Sequence, residues 1–427
     1  MKQSKIKKIK ETLKKTRERR KHQTPCVYQL KLQDLSTKDK ELLDRLFIEA
    51  KWLYNYIIAD IFTRLNNQSW KFQHVEIKTP NGLEKRIIKN LSSQMRRGIV
   101  ERIFQNLKAL KEAKNKGYKV GKLNFVSEVN SIPLPQYNNT YKIFREQNRI
   151  KIQKIKKTFR VLGLHQIPEN AEIANAHLIR KPSGYYVYVT CFIPKEDNKP
   201  KFEIDKSIGV DFGIKNQLTL SNGVKIEWLV SDTKRLKRLH RELSRRKRRG
   251  KNYRKTQHKL RREYERISNI RKDIQNRVFS FLKCYNRVII QDENIKGWYS
   301  GWFGKQVHST GIGGITSRLK HGLETLILVD KFETTTKKCS NCGRLLNLRL
   351  GDRVIKCKCG LVIDRDQNAA INIIKSGLKG ETTPLTNLPL DWREVTPVER
   401  KAAARILGKS PYIRVSCLAE AGSPSLQ

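Results

Sequence analysis

No stretch of this 427-residue chain approaches the roughly 20 consecutive apolar residues that a membrane-spanning helix needs. The opening segment, Met1 to Arg20, is basic and holds no apolar h-region, so no secretory signal is expected there. Acids are scarce: 40 Asp and Glu stand against 90 Lys and Arg, a formal net charge of +50. Such self-repulsion costs stability and serves no small-molecule enzyme. A polyphosphate partner relieves it, because each Lys or Arg on a phosphate releases a condensed counterion. His-x-His pairs are absent, which removes the ligand pair for a transposase that works by His-bound metal and a tyrosine nucleophile. Cysteine is sparse as well. Of eight, Cys26, Cys191, Cys284 and Cys417 stand singly, and four fall between Cys339 and Cys359. Scattered thiols plus one cluster suit a reduced compartment, the cytoplasm, with the cluster as a metal site.

Periodicity divides what remains. A basic extension (1–23) precedes an alternating strand at Cys26–Leu32. Ser36 and Asp39 have capping-box spacing ahead of a helical stripe that includes Leu43, Leu46, Phe47, Leu53 and Ile57. A second helix carries Ile99, Ile103, Leu107 and Leu110 among basic residues. Short alternating runs from Phe125 to Pro194 include a hairpin around Lys181-Pro182-Ser183-Gly184. These features predict a small β-barrel (24–36 and 125–204) with a helical insertion (37–124). A new α/β domain opens near Ile208 (205–335 and 362–376) and is interrupted by a ribbon at 336–361. Residues 377–427, rich in Gly, Pro, Thr and Ser, read as a flexible tail. The basic stretch from Lys234 to Arg262 reads as a helix whose Arg245, Arg246, Lys247, Arg248 and Arg249 contact nucleic acid. A Gly- and aromatic-rich segment, 297–314, reads either as a mobile lid or as a surface loop with tucked tryptophans.

Acids stand at three places where α/β sheets put their sites. Asp211 lies on an apolar strand that an Asn222-Gly223 hairpin follows, the opening of an RNase H-like sheet. Asp292 and Glu293 end the apolar run Val288-Ile289-Ile290. Asp364 and Asp366 precede an Ala- and Ile-rich helix, and an N-cap role fits Asp366 at least as well as Asp364. Grouped carboxylates repel one another unless divalent cations bind. Phosphodiester hydrolysis uses two such ions about 3.5–4 Å apart, and Mg²⁺ suits carboxylate oxygens. Cys339, Cys342, Cys357 and Cys359 form two knuckles for one tetrahedral Zn²⁺, although the second has one intervening residue instead of two.

The strings Gly209-Val210-Asp211-Phe212-Gly213-Ile214-Lys215, Thr335-Thr336-Lys337-Lys338-Cys339-Ser340-Asn341-Cys342-Gly343 and Asp364-Arg365-Asp366-Gln367-Asn368-Ala369-Ala370-Ile371-Asn372-Ile373 resemble the TnpB family, transposon-encoded RNA-guided DNA endonucleases similar to compact type V CRISPR effectors. The resemblance implies a multidomain α+β protein: a wedge-like N-terminal β-barrel with a recognition insertion, then an RNase H-like (RuvC) domain interrupted by a zinc ribbon. It implies Asp211, Glu293 and Asp364 as the catalytic triad, with Asp292 and Asp366 next in line. It also implies two catalytic Mg²⁺, one structural Zn²⁺, and guide RNA and double-stranded target DNA as partners. The rival readings are a CRISPR-associated miniature effector, a DNA-binding regulator without nuclease activity, and an ordinary resolvase.

Overall fold

The computed structural model describes residues 2–79, 82–196, 200, 202–228, 230, 234–248, 250–349, 351–379 and 394–417. Arg249 of the basic run, and 380–393 and 418–427 of the expected tail, lie outside the described residues. The chain divides into two units, 1–199 and 200–427.

The first unit begins with helix α1 (Lys2–Lys21). Arg19 and Arg20 of its last turn both pair with Glu172, at 2.8 and 2.9 Å, so the basic extension is a fastened helix. Strand β1 (Gln23–Leu32) leads to α2 (Thr37–Ala59), which starts at the expected Ser36/Asp39 capping box. After α3 (Ile61–Arg64) comes a hairpin absent from the sequence-based expectation although Asn81-Gly82 signals it, β2 (His74–Thr79) and β3 (Gly82–Ile87), and then α4 (Ser93–Asn115). The strands β4 (Ser131–Leu134), β5 (Tyr141–Phe144), β6 (Arg149–Ile152), β7 (Thr158–Leu162), β8 (Glu172–Lys181) and β9 (Gly184–Pro194) join β1 in one antiparallel sheet. Its order is β4-β8-β9-β1-β7-β6-β5. The expected barrel is thus a seven-stranded sheet, and among the described residues no hydrogen-bonded pairing joins β4 to β5. Leu43, Phe47 and Leu53 of α2 and Ile99 and Ile103 of α4 share a core with Ile132, Leu178 and Val187 of the sheet.

The second unit is a six-stranded sheet with helices on both faces. Its strands are β10 (Ile204–Phe212), β11 (Leu218–Leu220), β12 (Val224–Trp228), β13 (Tyr285–Gln291) and β14 (Leu326–Val329), with a last strand described below. β10, β13 and β14 run parallel, while β10, β11 and β12 form an antiparallel meander. Between β12 and β13 lie α5 (Lys234–Ser244) and α6 (Lys251–Leu282). The expected single basic helix is therefore two, and Arg245, Arg246, Lys247 and Arg248 are exposed in the turn between them. Gly250, which N-caps α6, marks the break. The aromatic segment is also helical: α7 (Ile295–Ser300), α8 (Gly304–Thr310) and α9 (Ile312–Gly322). Trp298 packs on the core and Trp302 is fully exposed. The ribbon hairpin β15 (Val354–Lys356) and β16 (Val362–Asp364) runs straight into α10 (Arg365–Gly377).

Residues 394–417 correct the expectation of a flexible tail. Helix α11 (Pro397–Ile406) starts on a Thr396/Glu399 capping box, and β17 (Ile413–Cys417) pairs with β12 to complete the sheet. The buried Glu399 carboxylate accepts from Asn222 at 2.9 Å and pairs with Lys206 at 2.7 Å. That capping box is the readable signal in the sequence.

Candidate active site and metal centre

Strand alternation decides where the acids go. Ile208, Val210 and Phe212 of β10 face the core shared with Ile274, Val278 and Phe281 of α6. With a side-chain period of two, Gly209 and Asp211 face the other side, which α10 covers. The helix comes so close that a Cβ on Gly209 would lie 2.2 Å from the Ala370 carbonyl oxygen. Only glycine permits that approach, and it draws the start of α10 towards Asp211. β13 alternates the same way, with Ile289 packed beside Ile371 and Ile374 of α10.

Asp211, Glu293 and Asp366 line one cleft of about 1160 Å³. Burial, and then repulsion from Asp366 and Glu293, holds the Asp211 carboxyl well above the usual carboxylate range, while Arg365 opposes the shift and Asp364 adds least to it. Burial pushes Glu293 up to about 7. The end of β13 is fixed by Gln291, whose amide donates to the carbonyls of Asp330, Lys331 and Glu333 and accepts from the Thr335 hydroxyl at 3.0 Å.

Asp364 is placed differently. Its carboxylate N-caps α10, accepting from the backbone of Asp366 and Gln367, and pairs with Lys225 at 2.8 Å. The capping residue is thus Asp364, and the carboxylate that lines the cleft with Asp211 is Asp366. Asp292 is drawn to Lys320 and does not line the cleft. Of the basic run, the four described residues do not line it either; the cations that do include Lys215, Lys237, Arg271, Lys305, Arg353 and Arg365. They come from separate segments of the chain, so no local pattern groups them.

Cys339, Cys342, Cys357 and Cys359 bring their sulfurs within 4.8 Å of one another. The Cys339–Cys359 and Cys342–Cys357 separations are 3.7 and 3.6 Å. A tetrahedral zinc with Zn–S bonds of about 2.3 Å separates its sulfurs by roughly 3.8 Å, so the donor set fits the ion. The short second knuckle is accommodated by a tighter turn. Gly360 N–H donates to the Cys357 carbonyl three residues back, whereas Gly343 N–H reaches four back to Cys339. Both glycines adopt positive φ, 74° and 87° for Gly343 and Gly360. The first knuckle is stitched to α10: Asn368 donates to the Lys338 carbonyl and accepts from Ser340 N–H, and Asn372 donates to the carbonyls of Thr335 and Lys338.

A cleft of convergent carboxylates at strand and helix ends, in one unit with a four-cysteine cluster whose geometry fits a metal ion, defines the class of protein. Comparison with known proteins narrows it. Residues 190–297 match a family described as "Probable transposase", and residues 317–373 match one described as "Cas12f1-like, TNB domain". A Streptomyces pristinaespiralis protein named "Putative RNA-guided DNA endonuclease" is 30% identical over 224 residues, 50% of this chain and 55% of that protein. A TnpB-like protein of Acanthamoeba polyphaga mimivirus is 29% identical over 216 residues, 44% of this chain and 41% of the other. A cryo-EM structure of a Cas12f1–sgRNA–target DNA complex aligns with 16% identity and a TM-score of 0.43, over 79% of this chain and 83% of that one. The chain spans about half the length of the curated relatives it matches. It resembles the TnpB family in both segments that carry the acids and the ribbon.

Proposed function

We propose that the chain is a TnpB-type, RNA-guided DNA endonuclease, whose second unit is a RuvC-like nuclease domain that cuts phosphodiesters in the Asp211/Glu293/Asp366 cleft. The observation that carries this is the raised Asp211 carboxyl, crowded by two further carboxylates in a cleft whose lining also includes six Lys and Arg. A cluster that disfavours its own ionisation is stable at neutral pH once cations sit among the carboxylates. Bound there, two Mg²⁺ would supply an activated water and neutralise the leaving oxygen. The chain's own part is positional. β10 and α10 hold Asp211 and Asp366 on one face, Gln291 fixes the strand end before Glu293, and the surrounding cations hold the nucleic-acid backbone. Zn²⁺ in the cysteine cluster would fasten the ribbon to α10.

RNA guidance rests on the charge of +50 and on the names of the relatives. Protein expressed with its flanking locus is expected to co-purify with a discrete RNA. It should then cut a plasmid carrying the guide-matched stretch and spare one that lacks it. Equal cutting of both plasmids, or undiminished activity after ribonuclease treatment, refutes guidance.

A further inference from the structure

The apolar stripe of α6 is interrupted by two charges. Leu260, Ile267, Ile274 and Val278 are buried, and at the intervening positions of the same face stand Glu263 and Arg271. Glu263 is neutralised, with Arg235 at 3.5 Å and Arg266 at 2.9 Å. Arg271 is not. Among the described residues its side chain has no hydrogen-bond or ion-pair partner, and its Nε is buried without an acceptor. A buried donor without an acceptor destabilises the fold it sits in and calls for a partner, an ordered water or a ligand.

What it faces is the cleft. Arg271 lines it together with Asp211, Glu293 and Asp366. The two other cleft arginines are already engaged, Arg353 at 4.0 Å and Arg365 at 3.6 Å from Asp366. Lys215, Lys237 and Lys305 are exposed and able to move. Arg271 is half-buried, and its stem runs beside Gly311: a Cβ there would lie 3.8 and 4.0 Å from its Cδ and Cγ. Gly311, at φ +70°, is the corner between α8 and α9, and Gln275, one turn along α6, donates to its carbonyl at 3.2 Å. The corner thus flanks the arginine stem where it leaves α6.

Resting on the nuclease reading above, we propose that Arg271 is a phosphate-binding catalytic residue, whose guanidinium takes a non-bridging oxygen of the phosphodiester held over the three carboxylates. The planar fork matches two acceptor oxygens. A preorganised cation also gains most when a phosphate acquires charge in the transition state. Lysine keeps the charge and loses the fork.

The test uses the full-length ribonucleoprotein, a guide-matched duplex and saturating Mg²⁺, read as a single-turnover rate. Arg271→Gln slows cutting by about 100-fold or more, the effect of losing one preorganised donor. Arg271→Lys recovers part of the rate, and added guanidinium ion speeds Arg271→Ala but not Asp366→Asn. DNA affinity stays at the wild-type value, and the melting temperature does not fall. Wild-type cutting by Arg271→Gln, while Asp366→Asn is inactive, overturns the role of Arg271 and leaves the cleft intact. A slowed Arg271→Gln with a lowered melting temperature and no guanidinium rescue of Arg271→Ala also overturns it, as a structural arginine. Unimpaired cutting by both Asp211→Asn and Asp366→Asn defeats the nuclease reading itself.

Discussion

The cysteine cluster and the carboxylate cluster both hang on α10, and they are built in opposite ways. The four sulfurs come from two short turns within one stretch of chain, each closed by its own backbone hydrogen bonds. The three carboxylates come from β10, the loop after β13 and α10, segments distant in sequence, and meet only once the sheet is assembled. One cluster organises its surroundings; the other is organised by them. Metal removal therefore has different consequences at the two sites. On the proposed reading the ribbon is expected to lose its fold, and the cleft to lose its chemistry and shed repulsion through protonation.

The largest effect is expected at the cysteines. Structural zinc contributes about 10–16 kcal/mol to isolated zinc-finger peptides at neutral pH, more than a small ribbon's own core supplies. Elemental analysis is expected to find about one zinc per chain, absent in Cys339→Ser, and limited proteolysis of that variant should open residues 336–361. Well-folded, protease-resistant protein without zinc would remove the distinction between the clusters. At the carboxylates the loss is catalytic. Asp211→Asn and Asp366→Asn should each lower cleavage by about 1000-fold or more while DNA binding persists, since several kcal/mol of charge stabilisation disappear. Asp364→Asn keeps an N-cap oxygen and loses only the Lys225 pair, so it should cut within about tenfold of wild type. If Asp364→Asn is inactive and Asp366→Asn cuts, the two aspartates exchange roles.

Glu293 gives the carboxylate cluster a pH signature of its own. Its carboxyl is raised from 4.5 to about 7 by burial, so the folded state holds its proton where the unfolded chain has released it. Without added Mg²⁺, the stability from Glu293 is complete below pH 4.5 and is lost as pH rises to about 7. The change is about 3 kcal/mol over that window. Urea midpoints of wild type and Glu293→Gln, compared from pH 4.5 to 8, should diverge by that amount, with the variant the flatter. Parallel profiles mean that Glu293 is not buried as described.

The same contrast explains what the sequence discloses. The knuckles are legible because all four ligands lie between Cys339 and Cys359 and each is set by a local turn. The six-stranded sheet is legible at β10 to β13, where apolar runs and an Asn-Gly turn state the topology. The third carboxylate is not. Asp364 and Asp366 differ by two positions at a helix start, and only the approach of α10 to Gly209 and the Lys225 pair decide which one caps. β17 escapes a sequence reading because Ile413-Arg414-Val415-Ser416-Cys417 is a half-apolar edge strand whose partner, β12, lies far earlier in the chain. The cations of the cleft leave no trace for the same reason, apart from Arg271, which breaks the α6 stripe.

The basic turn offers the smallest effect and tests whether charge density alone locates nucleic acid. Arg245, Arg246 and Arg248 are exposed between α5 and α6, and none of them lines the cleft. Exposed arginines that touch phosphates contribute through counterion release, which shifts affinity with salt and leaves the chemical step alone. Replacing the three with Gln should reduce the slope of log K against log[salt] by about 0.7–0.9 for each phosphate no longer neutralised. The single-turnover rate at saturating DNA should stay at the wild-type value, the reverse of the pattern for Arg271. A slope equal to wild type identifies the turn as a solvated charged surface, and its high density of Arg as a property of the whole chain's +50 charge.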